Sequence, residues 1–79
     1  MGYESKANNT RSIAIGTGII ANAVNQTVLG KYNIENEDAV FIIGAGANGS
    51  QRSNALIISN LGETTINTLT VRQNFKTLG

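Results

Sequence analysis

Short apolar runs alternate with small polar stretches at a fixed interval along this chain. Ser12-Ile13-Ala14-Ile15-Gly16, Thr27-Val28-Leu29-Gly30 and Phe41-Ile42-Ile43-Gly44 each close on a glycine, and Gly2, Gly16, Gly30 and Gly44 stand 14 residues apart. A fourth run, Asn54-Ala55-Leu56-Ile57-Ile58, begins 14 residues after Val40. The links are rich in Asn, Gly, Ser, Thr and Ala. An internal period of this kind decides the architecture before any single element does. A strand residue rises about 3.3 Å, so one unit holds a strand or two with tight corners, not two long strands. Such units stack as coils whose runs pair with their own copies, a β-solenoid or β-roll. The chain is therefore expected to be all-β: a parallel β-roll over residues 1–59, followed by a short C-terminal β module over residues 60–79.

The turn chemistry fits coils. Gly16, Gly30 and Gly44 are expected as structural turn residues at the ends of the runs, because glycine takes φ > 0 without steric cost. Asn22, Asn25, Asn33, Asn36 and Asn48 are expected at corners, where asparagine tolerates the same conformation and bonds its own backbone. Gly18 gives a further bend and Ile19-Ile20 a short second strand. A helix over residues 19–24 is disfavoured by two β-branched residues followed by Asn22 and Asn25. After residue 60 the interval is lost. A hairpin is expected there, from Ile57-Ile58-Ser59 through a turn at 60–63 to Thr64-Thr65-Ile66. Leu69-Thr70-Val71 reads as a further short strand, and residues 72–79 as a last strand or the start of whatever follows.

Length and composition sharpen this picture. Seventy-nine residues make at most one domain, and a chain so small buries only a modest fraction of its surface. There is no Cys and no His, so neither a disulfide nor a thiolate or imidazole metal site supplies a staple, and association with other chains is the remaining route. No cofactor is expected. The net charge is +1 with the cations Lys6, Arg11, Lys31, Arg52, Arg72 and Lys76 scattered, unlike the clustered basic face of a nucleic-acid binder. The apolar runs are far shorter than the ~20 residues of a membrane-spanning helix, so no membrane insertion is expected. Gly2 already lies on the 14-residue interval, which suggests a start within a repeat of a longer protein.

Several motifs carry competing explanations. Glu35, Glu37 and Asp38 would suit a hard cation such as calcium, but a solvated corner that discourages edge-to-edge pairing accounts for them more simply. Gly44-Ala45-Gly46-Ala47-Asn48-Gly49 spells the glycine pattern of a dinucleotide site. That site needs a helix directly after the glycines, and only Ser50 to Asn54 separate them from the next strand. Asn8-Asn9-Thr10, Asn25-Gln26-Thr27 and Asn48-Gly49-Ser50 match the glycosylation pattern, as chance allows in a chain so rich in Asn, Ser and Thr. For ligand binding, Tyr32 offers a flat apolar face with a polar tip and Arg52 a fork of donors for acidic sugars. Their structural roles would be packing of Tyr32 over the neighbouring coil and pairing of Arg52 with Glu35, Glu37 or Asp38.

The units Ser12-Ile13-Ala14-Ile15-Gly16 and Thr27-Val28-Leu29-Gly30, with their Ala- and Asn-rich links, resemble the head repeats of trimeric autotransporter adhesins. The later residues Gly30-Lys31-Tyr32-Asn33, Ala39-Val40-Phe41-Ile42-Ile43-Gly44 and Arg52-Ser53-Asn54-Ala55-Leu56 are similar to segments of phage and prophage tail fibres. The resemblance spans residues 2–71. It implies a homotrimer, a virion tail or alternatively a bacterial cell surface as its place, and a bacterial surface receptor or glycan as its partner. The third unit departs from the adhesin pattern, with Glu35 and Glu37 where small residues are usual.

The expectation of a trimer also has a physical basis, since runs such as Val40-Phe41-Ile42-Ile43 carry apolar residues on both strand faces. One face fills the coil and the other needs a neighbour. Two function classes follow: a structural and attachment segment of a fibre, or a tail-associated glycan depolymerase of which this is a part. Glycan hydrolysis generally takes two carboxylates facing each other across the bond. Only five acids occur, three of them in one corner, so a non-catalytic role is expected.

Overall fold

The computed structural model describes residues 2–73, and these are all-β, without a helix. Strands β1 (Gly2–Tyr3), β3 (Ile13–Thr17), β5 (Thr27–Lys31) and β6 (Ala39–Ala45) lie side by side in parallel. Their register follows the 14-residue interval, with Gly2 opposite Gly16, Gly16 opposite Gly30, and Gly30 opposite Gly44. Between them, β2 (Lys6–Ala7) and β4 (Ile20–Ala21) pair in parallel as a second, two-stranded sheet. The chain thus winds through about three turns of a β-solenoid.

The corners recur at fixed phases. Glu4, Gly18 and Tyr32 have φ of 53°, 58° and 40°, and Arg11 and Asn25 have 53° and 61°. The expected glycine turns lie elsewhere: Gly16 and Gly30 fall inside β3 and β5, one residue before each strand ends. Their glycine identity answers a close approach. A Cβ on Gly16, where φ is 140°, would sit inside the contact distance of the Gly30 carbonyl oxygen. The glycines therefore form a column in which each backbone presses on the next. Gly44 belongs to the same column within β6, where a Cβ would lie 2.8 Å from that of Asn33.

Inward positions of successive coils, Ala14, Val28 and Ile42, stack with Ile19, Ala21 and Ala39 to form the buried core, and Ile57 packs against it. Gln26 and Asn33 are equally buried, and both amides are fully engaged. Gln26 accepts from the Asn22 N–H (3.0 Å) and donates to the carbonyls of Asn36 (2.7 Å) and Ala39 (2.8 Å). Asn25, Asn36 and Asn48 sit in or beside turns as expected, but Asn33 does not act as a corner. Its Oδ1 accepts from the Ile20 N–H (2.7 Å) and its Nδ2 donates to the Ile20 carbonyl (3.1 Å). The side-chain amide takes the place of the next strand beside β4. Asn54 does the same one layer on, accepting from the Ile34 N–H (2.8 Å) and donating to its carbonyl (3.0 Å).

The fourth apolar run does not continue the winding. Strand β7 (Asn54–Ser59) pairs antiparallel with β6, Ile57 opposite Ile42 and Leu56 opposite Ile43. Residues 46–53 contain no large apolar side chain to occupy a coil interior, and the chain reverses there instead. The Ala47 N–H donates to the Gln51 carbonyl (2.9 Å) and the Gln51 N–H to that of Asn48 (3.0 Å). The hairpin expected next is present: β8 (Thr64–Ile66) pairs antiparallel with β7, Ile58 opposite Thr64 and Leu56 opposite Ile66. Leu69-Thr70-Val71 is not a strand; these residues are exposed, and among the described residues the sheet ends at β8. The strand considered for residues 72–79 falls largely on 74–79, outside the described residues.

Candidate binding cleft and apolar face

Two surface features carry chemistry, and both follow from the coil. The first arises at the corner column. Glu4, Gly18 and Tyr32 occupy the same phase in successive coils, so the glycine leaves a gap between two larger side chains. Tyr32 leans into it: a Cβ on Gly18 would fall 3.0 Å from the Tyr32 Cζ and closer still to the ring edge. Arg52, delivered by the reversing turn, lies with its guanidinium carbon 5.7 Å from the Tyr32 ring centroid, within cation–π range. Its Nη1 donates to the carbonyls of Gly18 (2.8 Å) and Asn33 (3.2 Å). The cleft between these groups has a volume of about 260 Å³; Gly18 and Ile20 line it, with Glu4 and Lys6 on the side of the first coil and Tyr32, Arg52 and Gly49 on the other.

The two residues singled out for ligand binding, Tyr32 and Arg52, thus come together on one cleft. Tyr32 also packs over the neighbouring coil, as its structural role required. The expected acid partner of Arg52 is replaced by backbone carbonyls. Among the described residues, no three acidic side chains converge on a position that would hold a metal ion, so Glu35, Glu37 and Asp38 are neighbours in sequence without being a ligand set. The glycine pattern from Gly44 to Gly49 is followed by a turn and not by a helix, and Gly46 is packed against the Tyr32 carbonyl. Glu4 and Lys6 were not among the candidates. The signal for Glu4 was available, since it stands 14 residues before Gly18 and 28 before Tyr32.

The second feature is the outer face of the six-stranded sheet. Register pairs Ile15 with Leu29, Leu29 with Ile43, Ile43 with Leu56, and Leu56 with Ile66. Partners directly opposite share a sheet face, so these five side chains form one apolar row across five strands. A second row beside it runs Ile13, Thr27, Phe41, Ile58 and Thr64. Ile13 and Ile15 remain 48% and 41% exposed, and Ile66 41%. By contrast, three of the six buried core residues among those described are alanines, so the larger apolar side chains of the described residues lie mostly outside the coil. Among the described residues, no helix is long and apolar enough to cross a membrane. No family model matches the chain, and neither a curated protein nor a solved structure matches it.

Proposed function

We propose that this chain is a structural and host-attachment segment of a homotrimeric phage or prophage tail fibre, acting by binding a bacterial surface receptor or glycan and not by catalysis. The observation that supports this reading is the apolar row Ile15, Leu29, Ile43, Leu56 and Ile66 on the outer sheet face. Burying a side chain of this size contributes roughly 1.5–3 kcal/mol. Several such residues from each of three chains exceed an association cost of about 4–15 kcal/mol. Threefold closure around that face would give each coil a second hydrophobic interior, while the thin coil interior alone holds few large side chains. The elongated outline, 40 × 26 × 18 Å, suits a segment of a rod.

Sedimentation equilibrium tests the assembly: a trimer is expected, and a folded monomer at low concentration overturns it. Replacing Leu29 and Ile43 together by Asp is expected to leave only monomer, because two charges on each chain would be desolvated at the threefold contact. Attachment is tested by binding to isolated bacterial envelopes. Release of new reducing ends from envelope polysaccharide would overturn the non-catalytic assignment. A bacterial surface adhesin head would share the trimer and differ in the parent protein around it.

A further inference from the structure

We infer that the corner cleft is a binding site for a carboxylate-bearing sugar, with Arg52 and Lys6 holding the carboxylate and Glu4 accepting bonds from hydroxyls. The inference rests on the receptor-binding reading and names the ligand class for one place on the surface. Arg52 carries the argument. A guanidinium has five N–H donors in a fixed planar fork. Nη1 is spent on the Gly18 and Asn33 carbonyls, and no acceptor for Nε or Nη2 occurs among the described residues. One side of the fork is therefore anchored to two coils and the other is free on a cleft. A donor pair pre-organised in this way loses little conformational freedom when it takes a carboxylate.

The neighbours suit an acidic sugar better than a bare anion. Lys6, exposed and on the same cleft, adds a second cation. Glu4 would repel an inorganic anion but accepts hydrogen bonds from ring hydroxyls. Tyr32, with Arg52 over its ring, lines the same cleft with apolar ring surface. It does so at a cost in backbone energy, because a bulky residue at φ 40° lies in a region that such residues rarely enter. Strain of this kind persists where surrounding contacts over-determine it, and Glu4 and Gly18 at the same corner phase also have positive φ. Here Gly18 at the ring edge and Arg52 over the ring are those contacts.

The test is calorimetric titration of the whole chain with D-glucuronate, with D-glucose and acetate as the neutral and the sugar-free comparison. Saturable binding of glucuronate is expected, with glucose and acetate each weaker by about tenfold or more. Lys6→Gln and Arg52→Gln are each expected to weaken glucuronate binding by about tenfold. Because Arg52 also ties coils together, Lys6→Gln, whose side chain is exposed, keeps the inference testable if Arg52→Gln does not fold. Failure of glucuronate to bind, equal binding of glucose, or unchanged affinity in Lys6→Gln overturns the site. Sedimentation of the same samples separates the two readings: a trimer that does not bind refutes the cleft alone, whereas a folded monomer that binds upholds the cleft and refutes the fibre assembly.

Discussion

Two halves of one sheet carry the same apolar spacing and run in opposite senses. Residues 2–45 wind as parallel coils, whereas β7 and β8 fold back as antiparallel strands, although Asn54 at the start of β7 stands 14 residues after Val40 in β6. The residues between strands account for the difference. In the second coil, Ile19 and Ala21 are fully buried and fill the interior opposite Val28 and Ile42. The same phases hold Asn33 and Glu35 in the third coil, where the buried Asn33 amide bonds Ile20 and β6 still runs parallel, then Ala47 and Gly49 in the fourth stretch. With neither a large apolar side chain nor an amide like that of Asn33 there, a further coil would enclose an unfilled interior, and the chain reverses through Asn48 and Gln51 instead. Spacing sets where a strand falls; the filling of the link sets its direction.

The sharpest way to break this comparison is at glycine. Gly16 lies in the column where parallel coils press together, and Gly62 lies in the antiparallel turn with open space around it. Both have positive φ, 140° and 84°, so alanine strains the backbone at either site. Only at Gly16 does the added Cβ also meet a backbone carbonyl. Gly16→Ala is expected to lose about 4 kcal/mol or more, and Gly62→Ala about 1 kcal/mol, by urea unfolding at one protein concentration. Equal losses would refute the close-packed column.

The core gives the next contrast. Ile42 and Ile57 face each other across the parallel-to-antiparallel junction, but Ile42 is fully buried and Ile57 only partly so. Ile42→Ala is expected to cost about 3 kcal/mol from lost burial and the cavity left, and Ile57→Ala about half as much, since less of its surface leaves water. Equal costs would mean that the hairpin is as integral to the core as the coils. The amide beside β4 ranks below these. Asn33→Ala leaves the Ile20 N–H and carbonyl without their partner, a loss of about 1–3 kcal/mol. Amide hydrogen exchange at Ile20 is expected to quicken, and unchanged protection there would mean that the amide does not stand in for a strand.

Much of the fold was legible because one interval governs strands, glycines and corners alike. Parallel pairing between coils required only that interval and the apolar runs. The reversal at residues 46–53 was harder, since Asn54-Ala55-Leu56-Ile57-Ile58 keeps an apolar run on the interval, although Ile58 stands where the column has glycine. Comparing phases, Ile19 and Asn33 with Ala47, Ala21 with Gly49, and Gly44 with Ile58, would have exposed it. Gln26 and Asn33 were hidden for another reason. Polar residues in an Asn-rich link look like corner residues, and burial becomes apparent only when the partners, Ile20 and Ala39 among them, are brought next to them. Of the cleft, Tyr32 and Arg52 were accessible from their chemistry alone. Their meeting depends on the turn that swings Arg52 back over Gly18, 34 residues earlier in the chain.

The smallest expected effect concerns the second corner column, which exists only in the parallel half. Arg11 Nε donates to Asn25 Oδ1 across adjacent coils (2.6 Å), and Ala39 takes the same phase one coil later, where the ladder stops. Arg11 and Asn25 both sit at positive φ, 53° and 61°. Arg11→Ala removes the bond at an exposed site and keeps a side chain with a Cβ in the same conformation, so the loss is expected to stay within about 0.5 kcal/mol. Asn25→Ala removes the same bond and also the residue that best tolerates this region, so its loss is expected to be larger, about 1 kcal/mol. In a double-mutant cycle the bond itself appears as the coupling between the two sites. The remainder at Asn25 measures what the corner demands of its backbone, and losses that coincide would assign the asparagine to the ladder alone.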